Sequence, residues 1–469
     1  MTPADADSPS RPRPPSTGPA GALDRHFELS ARGTTWRREI LAGASTFLAL
    51  SYIVIVNPAI LGQAGIPRTA AFLATAAVGG LATIAMGLWA RLPFAVAPGM
   101  EMNSVIAFSV VGTLAYTWPQ ALGMVFWSGV AMLVVSLLRV REAVINAIPA
   151  ELRSALAAAV AAFIGLIGLQ IAHVVRTSGG HLAGAGDWTG APAIALYTGL
   201  ATALLLDHYG AKAPGPVRRI LPGPTRSAGQ ALAVPAGILT SALVCAAGGV
   251  GVAHLGHGLD GSGAALFRLD LTVIADPGAW GVILVLFALD FFGSIAKIVG
   301  LTAHTPLQDR AGKVPGMRQA LLVDAGATIA GSTTGSSSFV AFVESAVGIR
   351  AGARSGLSAV TTGLLLLLCL FFAPVLAHVP VEATAGALVF VAIKMLTALR
   401  PARGERLTLA TTAVAAAVTV ATLAIDQAMA AAFATSALLR AAGRRPLHPA
   451  LWATTLVLAA SILLQYLQF

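Results

Sequence analysis

Apolar stretches long enough to cross about 30 Å of hydrocarbon recur along this chain, and no other feature restricts its fold as much. They cover residues 40–61, 69–90, 119–138, 152–175, 230–252, 279–303, 356–377 and 407–425. Only 11% of the residues are charged, less than half the share of about 25% in an average soluble domain. Such a chain crosses a membrane many times. Backbone polar groups inside a bilayer must be satisfied by the protein itself, so the expected fold is an all-α polytopic bundle.

The basic residues give that bundle a direction. When the spans are threaded in order from a cytoplasmic amino terminus, Arg68, Arg176 and Arg268 fall outside, and Lys297 and Lys394 fall within spans. Every other Lys and Arg lies on the cytoplasmic side, which is the positive-inside pattern. The net charge of +10 therefore records topology in a multi-pass cell-membrane protein and does not call for a nucleic-acid partner. Cys245 and Cys369 lie inside apolar runs and the nine histidines lack metal-ligand spacing, so no disulfide, metal or cofactor is expected. His173, His304 and His378 stand alone near span ends, and no phosphate-binding GxxxxGK[ST] loop occurs, which argues against an enzyme. Residues 1–35 are rich in Pro, Ser and Arg without an apolar core, and are expected to be a disordered cytoplasmic tail.

Two stretches break the apolar pattern. One is ARLPFAVAPGMEMNSVIAF, residues 90–108, interrupted by Pro93, Pro98 and Gly99; the other is GSTTGSSSFVAFVESAVGIRAGARSG, residues 331–356. Each precedes a helix too short to span alone, expected over roughly residues 99–114 and 336–348. Interruptions at matching places in two halves mark transporter binding sites, where half-helix amino termini aim free N–H groups at a ligand near mid-membrane. The order span, span, broken element, span over residues 40–138 recurs over 279–377, and an odd number of segments per half would invert the second copy. Hydropathy alone carries this repeat, because no residue identity links the halves. The small residues of 331–338 equally suit close helix packing.

Several side chains in these segments are candidates for chemistry. Glu344 is an acid within a membrane segment, a costly placement that defaults to function; it is expected about 12 Å along a half-helix starting at Ser336. It can bind a heterocycle edge and carry a proton, or simply tie helices together. Glu101 and Asn103 occupy the first turn of the other half-helix, where an acid favours the dipole and an asparagine offers both donor and acceptor. Lys297 follows Asp290 by seven residues on one helix face and needs a partner, expected to be Asp290, Glu344 or Glu101. Such a pair would neutralise one carboxylate and leave a single acid to titrate. Lys394, six residues before Arg400, is expected to snorkel to the interface. Phe94 and Phe339 are candidates to stack on a planar ring, and Ser338 belongs to the polar run beside them.

The stretches TFLALSYIVIVNPAILGQAGIP (46–67), FAVAPGMEMNSVIAF (94–108), DAGATIAGSTTGSSSFVAFVESAVGIRAGARSGLSAVTTGLLLLL (324–368) and IDQAMAAAFATSALL (425–439) resemble the AzgA-like purine permeases, a branch of the nucleobase:cation symporters. The resemblance extends from about residue 34 to about residue 450. It implies about 14 transmembrane segments in two inverted seven-segment repeats, residues 36–253 and 277–441. Core segments would span about 38–138 and 278–378, gate segments about 152–253 and 383–441, with short strands before the two half-helices. An apolar helix at 449–468 would lie outside that set. By position, the family's base-contacting glutamate is Glu344 and its asparagine Asn103. Three departures stand out: Gly293 replaces an aspartate, Ala296 and Lys297 replace Gly-Thr, and Glu101 replaces a glycine.

The implied activity is proton-coupled secondary transport of a purine-like heterocycle, with Glu344, Glu101, Asp290 and Lys297 handling the proton. The expected partners are that small molecule, protons, membrane lipids and a second copy of the chain in a homodimer. Alternatives are an anion exchanger of related fold, disfavoured by two acids beside the site, and an exporter of a modified base.

Overall fold

A computed structural model of the protein describes residues 19–138, 150–178, 181–209, 225–250, 263–302, 305–309, 314–372, 379–398, 406–422 and 425–443. The carboxy-terminal apolar stretch at 449–468 and residues 1–18 of the tail lie outside the described residues. Residues 19–35 are ordered where a disordered tail is expected. Helix α1 (Pro19–Phe27) places Leu23 and Phe27 on one face, four residues apart. With Leu29 they pack onto Leu357 and Val360, and Glu28 pairs with Arg91 at 2.9 Å.

Helices α2 (Trp36–Leu50), α3 (Ile53–Gln63) and α4 (Arg68–Ala85) come next, followed by strand β1 (Val96–Pro98), the short α5 (Met100–Ser104) and α6 (Trp118–Leu137). The second half opens with α10 (Pro277–Thr302) and α11 (Met317–Thr334), then strand β4 (Phe339–Ala341), the short α12 (Ser345–Ala351) and α13 (Gly356–Leu368). These nine helices and the two strands pack as one body. The first half closes with α7 (Ala150–Ile171), the hairpin β2 (Val175–Ser178) and β3 (His181–Ala185), α8 (Ala191–Tyr209) and α9 (Thr225–Ala247). These helices pack with α14 (Ala385–Ala398), α15 (Arg406–Thr422) and α16 (Ile425–Ala442) into a second body, which meets the first through α9 against α2 and α12. Among the described residues, Trp36–Gln63, Arg68–Ala90, Trp118–Leu137 and Pro277–Thr302 are helical, long and apolar enough to cross a membrane; shorter apolar helices accompany them.

The two broken segments meet at a ladder. β1 pairs antiparallel with β4 in the register Val96↔Ala341, Ala97↔Val340 and Pro98↔Phe339. Gly99 N–H donates to the Ser338 carbonyl and Phe342 N–H to the Ala95 carbonyl, each at 2.9 Å. A two-stranded ladder leaves its outer backbone groups open, and here two threonines close them. The Thr83 hydroxyl on α4 accepts from Val96 N–H at 2.9 Å and donates to the Val96 carbonyl at 3.1 Å. The Thr328 hydroxyl on α11 accepts from Phe339 N–H at 3.1 Å and lies 3.2 Å from the Phe339 carbonyl. The halves share no readable sequence, yet each clamps its strand with a threonine from the helix before it.

Close helix contact surrounds the ladder. Gly356 at the start of α13 lies against the backbone of Gly87, and Gly363 against Gly80 on α4, where an added Cβ would strike the opposing carbonyl. The carboxylate of Glu39, fully buried on α2, accepts from the backbone N–H of Arg354 at 2.7 Å and of Ser355 at 3.3 Å, capping the entry to α13. Lys394 does not simply snorkel: its ammonium pairs with Asp207 at 2.9 Å and ties α14 to α8.

Thr83→Val keeps the shape of the side chain and removes both bonds to Val96. Each stranded polar group costs about 1–3 kcal/mol, so thermal unfolding in detergent should show a clear drop in the midpoint, with Thr83→Ser close to wild type. Equal stability of the valine variant would contradict the clamp.

Candidate functional site

Glu101 sits in the first turn of α5, directly after the ladder, and its Oε1 accepts from Lys297 Nζ of α10 at 2.6 Å. The two side chains are 9% and 19% exposed, so this is an ion pair withdrawn from solvent. Of the three partners expected for Lys297, the structure selects Glu101. One helical turn before Lys297, a Cβ built on Gly293 would meet a single atom within 4 Å, Glu101 Oε1 at 4.0 Å. The face of α10 at Gly293 is therefore open toward the pair.

Glu344 stands elsewhere along its helix than the sequence suggests. Phe339–Ala341 form a strand and α12 begins at Ser345, so Glu344 occupies the cap position and does not lie eight residues inside a helix that starts at Ser336. The strand forms because β1 offers Phe339–Ala341 a backbone partner and the fully buried Ser345 hydroxyl accepts from Ala95 N–H at 3.0 Å. Tyr52, between α2 and α3, donates to Glu344 Oε1 at 2.7 Å, and Glu344 Oε2 is buried with no hydrogen-bond partner. Lys297 and Glu101 both lie within electrostatic range of Glu344.

Asn103 belongs to a polar network under the ladder. Its amide donates to Asn57 Oδ1 at 2.6 Å and its carbonyl accepts from Ser337. Asn57 in turn donates to Thr75 Oγ1 at 2.6 Å and Ser336 Oγ at 3.1 Å. These five residues are almost wholly buried and join α3, α4 and α5 to the loop before β4. The Ser/Thr run thus serves as a set of hydrogen-bond partners for irregular backbone. Asn57 and Tyr52 carry no weight in the sequence reading; a polar residue next to Pro58 in an apolar run, and a lone tyrosine in that same run, are the signals that point to them.

Asp290 and Ser338 come together, but as part of the ladder's support. Asp290 Oδ2 accepts from Ser338 at 2.5 Å and from Thr328 at 3.1 Å. Behind them lies Asp324 on α11, whose Oδ2 accepts from Ser294 at 2.7 Å and from Ala341 N–H at 3.2 Å. Asp324 is absent from the sequence reading, although an aspartate four residues before Thr328 in an apolar helix is a signal of the same kind. Asp290 Oδ1 and Asp324 Oδ1 are both buried without partners. With Glu101 paired to Lys297, three acids and not one keep a buried oxygen without a partner: Glu344, Asp290 and Asp324.

Phe94 and Phe339 are fully buried in an apolar cluster with Phe291, Met317 and Leu321. The Phe339 ring lies against Gly331 of α11, where an added Cβ would strike it. The ring positions expected to stack on a ligand are taken up in packing the ladder onto α10 and α11.

This arrangement, two interrupted segments joined at a buried ladder with acids and one lysine at the helix starts, defines a multi-pass membrane transporter fold of the two-repeat, core-and-gate type. Among solved structures, the transmembrane domain of a cyanobacterium bicarbonate transporter, BicA, matches with a TM-score of 0.58 at 16% identity, covering 83% of this chain and 96% of that one. The murine Slc26a9 anion transporter in the inward-facing state matches with a TM-score of 0.62 at 12% identity, covering 92% and 73%. At such identities the likeness concerns the fold.

The chain belongs to the Permease family, whose sequence profile matches residues 37–427, and within it to a divergent, AzgA-like branch. It is 34% identical over 385 residues to the adenine permease AdeQ of Escherichia coli, covering 81% of this chain and 82% of the relative. It is 35% identical over 392 residues to AdeP of the same organism, covering 84% of each. The guanine/hypoxanthine permease PbuG of Bacillus subtilis is 31% identical over 390 residues, with coverage of 80% and 83%.

The ion pair makes a stability prediction. Lys297→Met leaves Glu101 as an uncompensated buried charge, which should cost about 3–5 kcal/mol, whereas Glu101→Gln with Lys297→Met should recover most of it. A single variant as stable as the double would show that the two side chains are not coupled.

Proposed function

We propose that the protein is a proton-coupled secondary transporter of purine nucleobases or a purine-like heterocycle, working by alternating access of the core against the gate. The observation that carries this reading is Glu344: a carboxylate at the start of α12, held at one oxygen by Tyr52 and unpartnered at the other. A buried group of this kind takes up a hydrogen-bonding ligand or a proton, since an unsatisfied polar atom is costly. Relatives named as adenine and guanine/hypoxanthine permeases support a purine as that ligand.

On this reading the ladder holds the half-helices as a rigid unit, so that their free N–H groups keep aim while the core moves. The surface that shifts is the seam where α9 packs on α2 and α12. The amino terminus lies in the cytoplasm, and the remaining crossings complete about 14 segments. Asp290 and Asp324 touch the backbone or side chains of the segment from Ser338 to Ala341, so protonation there would reach Glu344 through the strand that precedes it.

Proteoliposomes with the outside more acidic should accumulate a purine from a panel of adenine, guanine, hypoxanthine, xanthine and uracil. Glu344→Gln should abolish the accumulation driven by the pH gradient. A response confined to inorganic anions would favour an anion carrier, and undiminished gradient-driven uptake by the glutamine variant would remove Glu344 from the coupling.

A further inference from the structure

We propose that the Glu101–Lys297 pair selects the substrate, making this a site for 6-oxopurines over 6-aminopurines; this rests on the purine reading above. Three residues fit together around the pair. At Gly293, α10 presents an open face whose nearest neighbour is Glu101 Oε1. Glu101, from the opposite half-helix, brings a carboxylate to that face, and Lys297 balances it at 2.6 Å. The site thereby holds an ammonium group where two acids alone would offer no fixed cationic donor.

A lysine ammonium carries three N–H donors and no acceptor. Glu101 is the one hydrogen-bond partner of Lys297 among the described residues, so two donors remain for a ligand. The complementary edge has two adjacent acceptors. A 6-oxopurine in its N9–H tautomer offers that edge in O6 and N7, the pair that lysine and arginine read in guanine of DNA. On the same edge adenine presents N7 beside an N6 amino donor, which opposes an ammonium. The second contact agrees with the first. Glu344 Oε2 is buried and unpartnered, and Lys297 lies within electrostatic range of it. As a carboxylate it accepts from the N1–H of a 6-oxopurine, while adenine has an acceptor at N1.

Glu101 thus has a positioning role and Lys297 a recognition role. Anchoring by the carboxylate fixes where the two remaining N–H groups point. A site built to hydrogen-bond its ligand rejects an analogue that leaves those groups unpaired far more strongly than an apolar pocket rejects a size change.

Binding of hypoxanthine and of adenine to the purified full-length protein, by calorimetry, tests the proposal, with Glu101→Gln/Lys297→Met as the charge-neutral comparison. The wild type should bind hypoxanthine at least about tenfold more tightly than adenine, and the double variant should lower that preference by at least about threefold, leaving the share that Glu344 supplies. Wild type binding both equally, or preferring adenine, overturns the proposal while leaving purine transport intact. An unchanged ratio in a folded double variant overturns it as well. Binding of neither base at any concentration would sink the purine reading together with it.

Discussion

The short antiparallel ladder between Val96–Pro98 and Phe339–Ala341 is the constraint on which the rest of the structure depends. Chain that is neither helix nor closed barrel survives at membrane depth only if every backbone polar group finds a partner within the protein. The ladder supplies partners for the central residues of each strand, and Thr83 and Thr328 supply them for the flanks. Asp324 takes one further N–H, from Ala341. Because the strands run antiparallel, the chain leaves β1 toward α5 at one end of the ladder and leaves β4 toward α12 at the other. One short ladder thereby positions the starts of both helices.

The placement of charge follows from that geometry. Four acids and one lysine lie around the two helix starts: Glu101, Asp290, Asp324, Glu344 and Lys297. An ionised carboxylate removed from water is unfavourable unless paired and hydrogen-bonded. Glu101 is paired through Oε1 with Lys297, whereas the other three each keep one buried oxygen with no partner. The acids that support the ladder are also bonded to it, through Ser338 and Ala341. In the proposed transport cycle, a change in their protonation would act on the strand that leads into Glu344 and so on the proposed ligand contacts.

Much of this was legible in the residues and some was not. Hydropathy revealed the spans, and Pro98, Gly99 and the Ser/Thr run revealed both interruptions, because breaks in membrane helices leave few alternatives. The two-repeat order is legible only as a sequence of elements; the Thr83 and Thr328 clamps sit in unlike surroundings, thirteen and eleven residues before the strand residues they hold. Glu344 is recognisable in the sequence as an acid in an apolar segment, but its place at the start of α12 is not, since three residues of apolar strand look like the first turn of a helix. Phe339 was misread for a related reason: a buried ring beside a polar run suits stacking on a ligand as well as packing on Gly331. Tyr52, Asn57 and Asp324 are each a single polar residue in an apolar run, and only their partners, distant in sequence, give them meaning.

A cryo-EM structure of the protein with hypoxanthine bound addresses the central claim most directly. The account predicts two helices that begin beside a strand pair at residues 96–98 and 339–341, with the base lodged between them against Glu344 and Lys297. A continuous helix through either segment, or a base bound away from both helix starts, would contradict it.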